Sequence, residues 1–138
     1  MHRPPIAPFV THLGIRFLEA DAGAARTQVH LEPHHLNRGG VAHGGLIATL
    51  LDTTMSRAAA HAGGTARPFV TVEMKVAFMS AGRGALRSDA RCVHRTTTLA
   101  FCEGEVRDEA DRLVATGSAT FKFARNRTTQ GAQADGAD

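Results

Sequence analysis

Apolar and polar positions divide the 138-residue chain into runs of two periodicities. Leu13 to Glu19 and Ala24 to Leu31 read as short strands around Ala20-Asp21-Ala22-Gly23, which predicts a hairpin. His34 to His43 has no period and carries Asn37, Gly39 and Gly40, so a loop is expected. From Gly44 to about Ala62 the apolar positions Ile47, Leu50, Leu51, Met55 and Ala58 recur at helical spacing, with Gly63-Gly64 as the stop. Beyond Pro68 the period becomes two: Val70, Val72, Met74, Val76 and Phe78 alternate with Thr71, Glu73 and Lys75. Ala85 to His94, Leu99 to Val106 and Leu113 to Phe123 then predict a three-stranded meander. The expected fold is α+β, one long helix packed on one antiparallel sheet. It forms a single domain over residues 1–124, followed by a polar tail, 125–138, expected to be disordered.

A chain of this length has room for one core, so that one domain must carry the function. The longest uncharged apolar stretch, Val41 to Leu51, is interrupted by His43, Gly44, Gly45 and Thr49. It falls short of the roughly 20 residues a membrane span requires, and no membrane partner is expected. Met1-His2-Arg3-Pro4-Pro5 opens no apolar signal region, which points to a cytoplasmic address. Cys92 and Cys102 are too few for a disulfide framework or a zinc cage; they flank the Thr96-Thr97 turn almost symmetrically and are expected as neighbouring free thiols. Eight histidines occur without an HExxH or a carboxylate-flanked pair, so no metal is expected. All but Lys75 and Lys122 of the 16 basic residues are arginine, and the net charge is +3. That balance favours anionic partners. The arginines are scattered singly and there is no Trp or Tyr to stack bases, so a phosphate-bearing small molecule fits better than nucleic acid. An ordinary arginine-rich surface fits the charge equally well.

The helix carries the candidate chemistry. Asp52 and Arg57 are its only charged residues, whereas a solvent-facing helix normally bears several. On a helical wheel Asp52 falls among Gly45, Ala48, Thr49, Ser56 and Ala59, all small, a face suited to close approach by a partner subunit or a ligand. Two readings of Asp52 remain open at this point: a carboxylate that caps a loop or pairs with an arginine, and a reactive group in a crevice. At the helix start, His43-Gly44-Gly45 leaves the first N–H groups unobstructed at the positive end of the macrodipole, where developing negative charge is stabilised. A glycine pair that merely permits a sharp turn reads the same way.

Taken together, Asn37-Arg38-Gly39-Gly40-Val41-Ala42-His43-Gly44-Gly45 and Ala48-Thr49-Leu50-Leu51-Asp52 resemble the N-x5-HGG-x6-D signature of the PaaI-like hotdog-fold acyl-CoA thioesterases. Val72 to Ser80 and Leu99-Ala100-Phe101 resemble two of that family's strands, and the resemblance extends over roughly Phe9 to Phe123. It implies a hotdog fold, a long helix wrapped by an antiparallel sheet, in homodimers that often pair into homotetramers. It implies Asp52 as nucleophile or general base, the Gly44 N–H as donor to the thioester carbonyl, and Thr71 as the hydroxyl that helps place water. Asn37, His43 and Gly45 match positions that shape the substrate site. No cofactor is implied. Acyl-CoA hydrolysis is the expected activity; a non-catalytic acyl-CoA-binding sensor and a hotdog acyl-CoA dehydratase or hydratase are the alternatives. Phe78, Met79 and Met55 are candidate acyl-pocket residues that suit aryl and medium-chain groups equally.

Overall fold

A computed structural model of the chain describes residues 6–63 and 67–125. The order of elements is α1 (Pro8–His12), β1 (Arg16–Asp21), β2 (Ala24–His30), a 3-10 turn (Pro33–His35), α2 (Gly44–Ala60), β3 (Phe69–Phe78), β4 (Ala85–Arg95), β5 (Leu99–Arg107) and β6 (Leu113–Phe123). The strands form one six-stranded antiparallel sheet in the order β1-β2-β4-β5-β6-β3, with α2 packed across it. This is the expected α+β hotdog arrangement. From residue 126 onward the expected tail lies outside the described residues, as does Gly64 of the expected helix stop.

One local feature differs from the periodicity reading. The first strand begins at Arg16 rather than Leu13, because Pro8 opens the short helix α1 and Gly14, at φ +73°, turns the chain out of it. The expected three-stranded meander is present as β4-β5-β6, and β3 pairs with β6 at the far edge of the sheet. The hairpin turn is as expected: Asp21 pairs with Ala24, and Ala22 (φ 49°) and Gly23 (φ 84°) form the two-residue loop. Both positive angles match the twist that a tight hairpin needs.

Helix α2 buries Leu46, Ile47, Leu50, Leu51, Met55 and Ala58 against Val29, Leu86, Val106, Val114 and Phe121. Each large side chain so buried contributes about 1.5–3 kcal/mol. The sheet comes close enough because Gly104 and Gly117 face each other on β5 and β6. A Cβ on Gly104 would lie 3.3 Å from Met55 Cγ, and one on Gly117 would lie 3.2 Å from Leu51 Cδ1. Polar groups also tie the helix down: Thr54 Oγ1 donates to the Leu50 carbonyl at 2.6 Å, so Thr27 is the donor in the 2.7 Å bond between the two threonine hydroxyls. Cys92 and Cys102 are direct cross-strand partners and both are free thiols. Burial, and then the neighbouring Cys92, push the Cys102 thiol up to about 12.

On the outer side of the sheet the arginines meet carboxylates. Arg26 and Arg87 share Asp89 at 2.5 and 3.0 Å, Arg107 meets Glu105 at 2.9 Å, and Arg91 pairs with Glu103. The positive charge is thus dispersed into ion pairs along these strands rather than gathered into a stripe.

Candidate active site

The loop before α2 fixes where the helix starts. Asn37 Oδ1 accepts the N–H of Gly39 at 2.9 Å and of Val41 at 3.3 Å, while the Asn37 N–H donates to the Val41 carbonyl at 2.7 Å. Its observed contacts shape the loop from within. Beneath it lies buried His35, whose Nδ1 accepts the Glu32 N–H at 2.9 Å, so Nε2–H donates to the Leu13 carbonyl at 2.8 Å. The His35 carbonyl in turn accepts the His43 N–H at 2.8 Å. In sequence His34 and His35 look alike; only burial separates this anchoring histidine from its exposed neighbour.

His43 caps the helix. Its Nδ1 accepts the Gly45 N–H at 2.8 Å, and its carbonyl accepts those of Leu46 and Ile47 at 3.0 and 3.2 Å. Of the first four amides of α2, the Gly44 N–H is the one without an acceptor among the described residues. A single donor is therefore left at the positive end of a 17-residue helix. Gly45 was expected to contact substrate, but its amide is taken by His43. Neither glycine lies in the left-handed region, so a sharp turn does not select them. Space crowds Gly45, where a Cβ would lie 3.0 Å from His43 Nδ1; a Cβ on Gly44 would lie 3.3 Å from Cζ of exposed Phe78, a contact that a small shift of the ring relieves.

Further along α2, half-buried Asp52 accepts a 2.9 Å hydrogen bond at Oδ1 from the Thr71 hydroxyl of β3. The register shift between Thr71 and Glu73 marks a bulge beside that threonine. A hydroxyl that donates to a carboxylate retains lone pairs to accept from water. The other charge of the helix, Arg57, is buried with its guanidinium 4.0 Å from the Phe17 ring centroid, which leaves Asp52 as the accessible one. Loop capping and arginine pairing, the structural readings of Asp52, do not occur among its described contacts.

Two sequence expectations change here. Met55 is fully buried against Gly104 and Gly117 and lines no open pocket. Ala59, expected on the small open face, is also buried, as part of the hydrophobic core, and its carbonyl accepts from Arg95 at 3.4 Å. A groove of about 680 Å³ opens instead between Arg26, Asp89, Arg91, Glu103 and Glu105, and none of the expected site residues lines it. Within one chain the Gly44 donor and the Asp52 carboxylate are about 12 Å apart along the helix, given its rise per residue. Among the described residues no group of three His, Cys, Asp or Glu side chains is placed to hold a metal ion, and no helix is long and apolar enough to cross a membrane.

The single long helix wrapped by this sheet, with a capped HGG start and an accessible carboxylate two turns on, defines a hotdog domain of the PaaI-like thioesterase type. Residues 39–115 match the family model of the thioesterase superfamily, and the chain belongs to that family. A Pseudomonas aeruginosa protein with a provisional esterase name is 30% identical over 118 residues, covering 83% of this chain and 87% of that one. A conserved protein of solved structure from the same organism is 34% identical with a TM-score of 0.83, covering 86% of this chain and 95% of its own. A mutant of the phenylacetic acid degradation protein PaaI from Thermus thermophilus is 27% identical with a TM-score of 0.77, covering 86% and 100%.

Proposed function

We propose that the chain is an acyl-CoA thioesterase that works as a homodimer, each site combining Gly44 of one protomer with Asp52 and Thr71 of the other. The observation that carries this reading is the Gly44 N–H, free of any acceptor among the described residues in a helix start whose neighbouring amides are all satisfied. In the proposed reaction that N–H polarises the thioester carbonyl and stabilises the oxyanion. Asp52 takes a proton from a water that donates its other hydrogen to Thr71 Oγ1, as the water oxygen bonds to the carbonyl carbon; the carbon–sulfur bond then breaks, and the leaving sulfur takes up the proton held by Asp52 to give the free acid and CoA. Direct attack by Asp52, through a mixed anhydride that water then cleaves, gives the same products. An acyl adduct on Asp52 in rapid-quench mass spectrometry distinguishes the second route.

Geometry supports sharing between protomers. A short Asp side chain does not span about 12 Å along its own helix, whereas reacting atoms must come within roughly 3–3.5 Å. Two-fold pairing sets one helix against another in opposite directions and yields two equivalent sites. The edge of β3, where Val70 and Val72 are exposed, supports the same reading. Pairing of such dimers into tetramers, and a cytoplasmic address, belong to this proposal as the family resemblance implies them.

Asp52→Asn is expected to lower kcat at least ~10²-fold in a thiol-release assay, with the fold unchanged by circular dichroism. Gly44→Pro removes the free N–H at a first-turn position where proline is tolerated, and exposed Phe78 yields to the added ring. Refolding the two inactive variants together should return activity near a quarter of wild-type, since about half the dimers are mixed and half their sites intact. Wild-type turnover by Asp52→Asn, or a dead mixture despite proven chain exchange, overturns the respective part of the proposal.

A further inference from the structure

The Gly44 donor has an immediate neighbour that the reaction scheme leaves unused. Phe78, the last residue of β3, touches the helix start with its ring edge: Cζ and Cε1 would be 3.3 and 3.5 Å from a Gly44 Cβ. Yet the side chain is 57% exposed, so much of the ring is uncovered in the protomer. An aromatic of this size at a strand end is ordinarily buried for its apolar area. Here it stands beside a backbone N–H that is itself without a partner among the described residues.

Resting on the reading of Gly44 as the carbonyl donor, we infer that Phe78 is the acyl-selecting residue: its ring forms a wall beside the carbon next to the thioester carbonyl. A carbonyl oxygen that accepts the Gly44 N–H places its own carbon, and the first carbon of the acyl chain, within reach of that ring. An unbranched or flat acyl group slides along the ring, while a methyl branch on the first carbon collides with it. Exclusion of a single methyl group from an apolar site is worth about 10–200-fold in specificity.

The test uses pairs of acyl-CoAs that differ only by a methyl on the carbon next to the carbonyl, such as butyryl and 2-methylbutyryl, on the chain length wild-type protein turns over best. Wild-type kcat/KM should favour the unbranched member by at least about tenfold. In Phe78→Ala the ratio should fall to within about threefold, mainly by a gain on the branched substrate, and Phe78→Leu should fall between. Light scattering and circular dichroism accompany each variant. An unchanged ratio in Phe78→Ala that turns over both substrates overturns the inference, and so does loss of the dimer with no change in ratio. Absence of thiol release by wild-type protein from every acyl-CoA overturns the hydrolase reading itself, a distinct result.

Discussion

The two edges of the sheet are built differently. At one end β1 has six residues, three of them charged (Arg16, Glu19 and Asp21), and a register shift between Phe17 and Glu19 bends it. Short length, charge and a bulge are the devices that keep an open edge from pairing with another chain. At the other end β3 runs for ten residues and carries Val70 and Val72 at 64% and 55% exposure. A long apolar edge left unpaired is an invitation to another strand. The same strand presents Thr71 to Asp52 and Phe78 to Gly44. One edge is closed by design against neighbours, and the other combines an open ladder with the candidate chemistry.

Lysines on the two edges should separate these roles most sharply. Val70→Lys combined with Val72→Lys places charge on the open ladder and should convert the proposed dimer to monomers in light scattering, with turnover reduced at least ~10²-fold. Leu18→Lys, a comparable change on β1, should leave oligomeric state and turnover unaltered and stability within about 0.5 kcal/mol. Equal effects from both edges would erase the distinction.

A smaller effect is expected within β3 itself. Thr71→Val keeps the shape and removes the hydroxyl that donates to Asp52 at 2.9 Å. It should lower kcat about tenfold, the scale of a hydrogen bond to a charged group, with little change in KM, and Thr71→Ser should be tolerated. Equal activity of the valine and wild-type proteins would remove Thr71 from the site.

Between the edges the expected effect is one of pH. Burial raises the Cys102 thiol to about 12, above its ordinary value, so the folded state favours the protonated form. Its contribution to stability is fully present below about pH 9 and is lost as pH rises toward about 12, because the unfolded chain releases that proton first. Urea unfolding across this range should show a falling midpoint in wild-type protein and a shallower fall in Cys102→Ala. Matching slopes would show that the thiol is not shielded.

Much of this was legible in the chain, for reasons tied to burial. Residues of β4 to β6 alternate because one face packs on α2, and those strands begin and end within a residue of the expected limits. Asp52 was legible because a lone carboxylate in an otherwise small and apolar helix conflicts with ordinary solvent exposure. Strand order was not, since a period of two states which face is buried and not which strand lies alongside; the pairing of β3 with β6 leaves no trace in either run. Nor was the fate of Met55 legible. Its burial depends on two glycines, 104 and 117, that lie more than forty residues away and meet only in the sheet. The HGG glycines could be located by sequence but their surroundings could not, as the rings beside them come from His43 and from distant Phe78.

The cap on the helix start has a consequence for proton chemistry. A neutral imidazole owns one lone pair, and in His43 that pair, at Nδ1, faces the Gly45 amide, which can only donate. The tautomer is therefore settled by the backbone: the hydrogen sits on Nε2, on an exposed ring. In this state His43 can offer a proton-bearing nitrogen to an incoming oxygen. Nitrogen-15 chemical shifts of the ring, which differ by tens of parts per million between protonated and bare nitrogens, would register this asymmetry directly, independent of any substrate.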